Sequence, residues 1–93
     1  MIKVLYVPQV NIKDKLQYSF YGMKVVITYN GIVDYLDFTD MPDGIAEEIE
    51  TDLPVDVVIS AKKEDGILML ELLNFISPDA EYDERFPEWK VVK

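Results

Sequence analysis

The chain has 93 residues, 49% hydrophobic and 29% charged, which suits a single globular domain over 1–93 with its own core and excludes bulk disorder. Its net charge of −9 repels nucleic-acid phosphates and anionic lipid, so direct binding to nucleic acid or membrane is not expected. Cysteine and histidine are both absent. That removes disulfides, thiolate chemistry, the commonest zinc ligand and the Ser–His nucleophile pairing together.

Residues 2–7 are β-branched and aromatic enough for a first strand, which Pro8 should stop. The start, MIKVLYVPQV, lacks the long apolar stretch and small-residue cleavage site of a signal peptide. No apolar run approaches the roughly 20 residues that cross a bilayer as a helix. A cytoplasmic location is the resulting expectation. After a polar loop, Leu16, Tyr18 and Phe20 alternate with Gln17 and Ser19, the pattern of a half-buried strand. Tyr21-Gly22 breaks that parity, either as a β-bulge in one long strand or as a tight turn between two.

Residues 23–38, MKVVITYNGIVDYLDF, carry the clearest local signal. Two β-rich runs flank Asn30-Gly31, the dipeptide best suited to a type I′ turn. That turn sets a register in which Tyr29 faces Ile32, Ile27 faces Asp34, Val25 faces Leu36 and Met23 faces Phe38. This face is apolar except for Asp34. The opposite face pairs Thr28 with Val33, Val26 with Tyr35 and Lys24 with Asp37.

Next comes a turn-rich loop, TDMPDG at 39–44. Ile45, Ala46, Ile49 and Leu53 then recur at helical spacing, which predicts a short helix from about Gly44 to Leu53, capped by Asp40 or Asp43 and ended by Pro54. A second hairpin is expected over about 55–75. With Asp65-Gly66 as its turn, Ala61 faces Leu70, Ile59 faces Leu72 and Lys62 faces Met69. Ser77-Pro78-Asp79 reads as a helix start running one or two turns to Phe86, and Trp89, Val91 and Val92 alternate as a last edge strand. The predicted fold class is α+β: a mostly antiparallel sheet of five to six strands built from two β-hairpins, with one or two short helices. Both hairpins carry apolar side chains on both faces. The sheet must therefore curl into a closed or sandwich-like form, or a partner or second copy must cover it.

Charge is segregated along the chain. Between Val25 and Ala61 lie Asp34, Asp37, Asp40, Asp43, Glu47, Glu48, Glu50, Asp52 and Asp56, with no lysine or arginine. The rest of the chain is balanced. Such a segment favours a basic partner or a cation. A buried Asp34 would have a raised pKa and could act as an acid or base, although a carboxylate so close to the hairpin tip more simply reaches solvent. DFTDMPDG supplies hard oxygen ligands for Ca²⁺, but alignment of Gly44 with the EF-hand glycine leaves only Asp43 and Glu50 in ligand positions. A solvated acidic loop explains it better. Tyr21, Tyr35 and Trp89 should lie off the main core face, where aromatic rings are enriched at protein interfaces.

The sequence points to a non-catalytic interaction or assembly module that meets a basic protein partner through the acidic segment 34–56. Asp37, Asp40, Asp43, Glu47, Glu48, Glu50 and Tyr35 are the candidate contacts. A narrower form is a mimic of DNA, with carboxylates standing in for phosphates. No cofactor, metal or catalytic residue is expected. The alternatives are a carboxylate-based divalent-cation-binding protein or enzyme, and a purely structural subunit of a homo-oligomer such as a homodimer.

Overall fold

A computed structural model describes residues 1–46, 49 and 53–92. In chain order the elements are β1 (Ile2–Val10), β2 (Leu16–Tyr21), β3 (Lys24–Tyr29), β4 (Ile32–Asp37), β5 (Gly44–Ile45), β6 (Val58–Glu64), β7 (Ile67–Ile76), α1 (Tyr82–Arg85) and β8 (Lys90–Val92). They form two sheets, not the single sheet expected. One is a three-stranded meander in the order β2-β3-β4, and the other has five strands in the order β5-β6-β7-β1-β8.

Three two-residue turns shape the hairpins. Asn30 and Gly31 both have positive φ, 48° and 85°, as do Asp65 and Gly66 at 51° and 78°, the pattern of type I′ turns. At Tyr21-Gly22 the chain makes a tight turn, not a bulge: Tyr21 pairs with Lys24 across Gly22, whose φ is 62°. A positive φ at the first central residue alone matches a type II′ turn. The β3–β4 register is the expected one throughout, from Tyr29 against Ile32 to Lys24 against Asp37. Phe38 N–H extends it by donating to Met23 O at 2.9 Å.

The β6–β7 hairpin pairs Ala61 with Leu70 and Lys62 with Met69 as expected. The Ile59–Leu72 pairing does not form. A register shift between Val58 and Ser60 puts Val58 opposite Leu72, so Val58 is buried and Ile59 is turned outward. A bulge of this kind changes which parity faces the core.

Beyond the hairpins, β1 lies between β7 and β8. Its nine-residue pairing with β7, from Ile2–Leu68 to Val10–Ile76, is parallel. Strand β1 also runs through Pro8, contrary to the expected stop. Leu68 N–H donates to Met1 O, and Asn11 N–H donates to Ile76 O. Odd-numbered residues of β1 therefore turn their backbone groups toward β7, and the position of Pro8 turns away from it. β8 pairs only with Ile2, Lys3 and Val4, so the N–H that proline lacks would have faced an open edge.

The expected helix over 44–53 is corrected at its start. Gly44 and Ile45 pair with Lys63 and Lys62 as β5, and Ala46 N–H donates to Ala61 O at 2.9 Å. Residues 47, 48 and 50–52 of that expectation lie outside the described residues. Ala46, Ile49 and Leu53 pack on the core as their spacing required, whereas Ile45, expected on the same face, is exposed in β5. The C-terminal helix is one turn, Tyr82–Arg85. Ser77 does not cap it: Ala80 N–H donates to Ser77 O in a separate turn. The last strand, β8, is an edge as expected.

The core lies between the two sheets. Val25, Ile27 and Tyr29 of β3 meet Ile2, Val4, Leu68, Leu70, Leu72 and Ala61 of the larger sheet, with Val57, Val58, Leu53 and Phe38 closing one end. Tyr29 meets Phe75 edge-on at 6.3 Å between ring centres, and Tyr18 Oη donates to Leu73 O at 2.5 Å, tying β2 to β7. This two-layer arrangement is the sandwich-like solution to hairpins with apolar residues on both faces.

Candidate interaction surface

Alternation along β4 divides its side chains. Ile32, Asp34 and Leu36 point toward the larger sheet, while Val33, Tyr35 and Asp37 form an outer row. The outer row is open to solvent: Val33 is 62% exposed and Tyr35 57%. Their neighbours across β3 are Thr28, Val26 and Lys24, and Tyr21 of β2 extends the same face. Lys24 Nζ lies 4.1 Å from the centre of the Tyr35 ring, holding that ring against the sheet.

Asp37 accepts from Thr39 N–H at 2.9 Å and from Thr39 Oγ1–H at 2.6 Å. These hydrogen bonds hold its carboxyl below the ordinary aspartate range, and the Lys24 charge adds to the effect. Asp37 is therefore a fixed anion next to Tyr35. Asp34 does not fray into solvent at the hairpin tip: β4 is paired up to the turn, and Asp34 is half-buried opposite fully buried Ile27. Its Oδ1 accepts the backbone N–H of Tyr35 at 2.7 Å.

The loop after β4 is tacked to the larger sheet. Lys63 Nζ donates to the carbonyls of Phe38 and Thr39, both at 3.4 Å, and Asp43 Oδ2 accepts from Asp65 N–H at 3.4 Å. Asp40 is exposed on this loop. The structure thus brings Tyr35 and Asp37 onto one face and puts Asp40 and Asp43 on the loop that follows, with Asp43 held against the β6–β7 turn. Glu47, Glu48 and Glu50 lie outside the described residues. The acidic segment is not bare of cations in three dimensions, because β3 supplies Lys24 and β6 supplies Lys63. Among the described residues, no group of three or more Asp and Glu side chains is placed to hold a metal ion.

No family model, curated protein or solved structure matches this chain. Function therefore rests on the surface itself.

Sequence reasoning passed over a second feature, a cleft of about 480 Å³ where β1 and β2 approach one another. Tyr6, Tyr18, Gln17, Ser19, Asn74 and Lys90 line it, with the Tyr6 and Tyr18 rings 6.1 Å apart. Burial pushes both phenols above their ordinary range, so they remain protonated donors. The lining includes no carboxylate. No local pattern signals this cleft, since it exists only because β1 pairs with β7 and β8 together.

Val33 and Lys24 were also missed as contacts. The signal for them was present in the alternation of Val33, Tyr35 and Asp37 across from Lys24, had it been followed onto the outer face.

Proposed function

We propose that this chain is a non-catalytic protein-interaction module that takes a basic protein partner on the outer face of the β2–β4 sheet and the acidic loop that follows. The observation that carries this reading is the outer row of β4. Two large apolar side chains, Val33 and Tyr35, are more than half exposed in line with Asp37, a carboxylate held in its charged form. Exposed aromatic groups beside fixed charge are the composition of an interface, and a net charge of −9 selects a cationic counterpart. The candidate contacts are Tyr35, Asp37, Asp40 and Asp43, continued along the chain by Glu47, Glu48 and Glu50.

The test is capture of a partner from the native lysate by the tagged chain, repeated with two variants. Tyr35→Ser removes the apolar anchor, and reversal of Asp40, Glu47 and Glu48 to lysine inverts the charge of the acidic segment and leaves Asp37 in place. The captured protein should be basic, and each variant should lose it. Raising ionic strength from about 0.1 M to about 1 M, which shortens screening from ~10 Å to ~3 Å, should weaken the wild-type complex. Capture that survives both variants and the added salt refutes the reading.

A further inference from the structure

We infer that the partner joins this chain as an added β-strand along β4, through an extended segment that places basic residues three positions apart. This inference rests on the proposed binding of a basic partner and specifies how it occurs.

β4 is an outer strand of the meander, with β3 on one side and no described strand on the other. The ladder fixes which backbone groups face outward. Phe38 N–H donates to Met23 O, so Met23–Phe38, and at every second pair Val25–Leu36, Ile27–Asp34 and Tyr29–Ile32, exchange the hydrogen bonds with β3. Val33, Tyr35 and Asp37 therefore turn their N–H and C=O groups to the open side. An incoming strand would meet this row of donors and acceptors directly.

The edge is guarded at its centre. Tyr35 N–H, the middle outward donor, is taken by Asp34 Oδ1. A charged side chain on an edge strand is one way proteins avoid indiscriminate strand pairing. Here the guard is also a selector. A lysine or arginine brought opposite Asp34 would draw its carboxylate away and release the Tyr35 N–H for pairing. Asp37 stands three residues further along and therefore on the other face of the strand. A segment that neutralises both acids needs basic residues with the same spacing, and apolar residues opposite Val33, Tyr35 and Leu36.

Charge argues against a second copy as the occupant. Pairing β4 with its own counterpart would bring together two chains of net charge −9 and four aspartates. The other edges are poorer templates: β2, the opposite edge of the meander, is as long as β4 but carries no acidic side chain to attract a basic segment. β5 and β8 have two and three residues, and the free half of β1 contains Pro8.

The probe is a capped peptide, Val-Lys-Val-Val-Lys-Val, titrated into the ¹⁵N-labelled chain at low salt, alongside the same peptide N-methylated at alternate amides in each of the two phases. Amide shifts centred on residues 32–37, slowed exchange of the Val33, Tyr35 and Asp37 amides, and at least about tenfold weaker binding of one methylated form are the expected results. Equal binding by all three peptides, shifts confined to residues 39–43 or to β2, or no binding at millimolar peptide would each overturn strand addition. So would a concentration-dependent dimer of the free chain paired through β4. If all three peptides bind equally and the Asp40, Glu47 and Glu48 reversal still abolishes that binding, the acidic-face reading survives and strand addition alone is lost.

Discussion

Asn30 does two separable jobs. Its backbone holds φ at 48° in the type I′ turn, and its side chain ties the hairpin to the preceding loop. Nδ2 donates to Asp14 Oδ1 at 2.8 Å and Oδ1 accepts from Lys15 N–H at 2.7 Å. Asn30→Gly keeps the turn and deletes the side-chain bonds. Both bonds are exposed, so each is worth about 0.5 kcal/mol, the low end for a hydrogen bond, and the variant should lose about 1 kcal/mol. Asn30→Ala deletes the same bonds and also forces a β-carbon into left-handed backbone, adding about 1 kcal/mol for a total of about 2. For a domain of this size that is a fall in Tm of ~4–8 °C for glycine and about twice as much for alanine. Urea unfolding of the three proteins, with equal m-values, measures both terms. An alanine variant as stable as the glycine variant would show that the turn conformation is not what positions β4.

Other parts of the architecture give further expected outcomes. Leu70→Ala should cost about 2–5 kcal/mol, because Leu70 is fully buried between Ala61 and Val4, whereas Ile59→Ala, on the outward side of the bulge, should cost within about 0.5 kcal/mol; denaturation midpoints decide whether the shift between Val58 and Ser60 is correct. Tyr18→Phe should lose about 1 kcal/mol by removing the bond to Leu73 O that joins the sheets, and a change within error would mean that β2 is not anchored there. Asp14 is held below the ordinary aspartate range by hydrogen bonds from Asn30 and then Asn11. Since its folded pKa is the lower one, its stabilisation is present above the unfolded value of about 4 and is lost as pH falls through the folded value. Thermal melts from near neutrality into the acid should show a smaller decline for Asp14→Asn than for wild type.

Local chemistry alone determined the hairpins. Asn30-Gly31 and Asp65-Gly66 adopt positive φ more readily than other dipeptides, and a two-residue turn sets the register of the strands beside it, which holds along all of β3–β4 but in β6–β7 only as far as Ser60. Hence the pairing from Tyr29–Ile32 to Lys24–Asp37, and with it the exposed row at Val33, Tyr35 and Asp37, was legible from residues 23–38. The outward placement of Tyr35 was legible for the same reason of parity, whereas Trp89, also exposed, precedes β8 and lies in no strand.

Tertiary structure decided what no neighbouring residues encode. The parallel match of β1 to β7 joins segments more than sixty positions apart, and no turn residue specifies it. It splits the strands into two sheets, opens the cleft at Tyr6 and Tyr18, and leaves Pro8 on a free edge where its missing N–H costs nothing. Gly44 and Ile45 show the same contest. Their helical spacing with Ala46, Ile49 and Leu53 described the burial of the last three, but Ile45 is 70% exposed, because the open edge of β6 offered Gly44 and Ile45 backbone partners. Side-chain period reports burial. Which backbone a residue pairs with depends on the edges left open once distant strands have met.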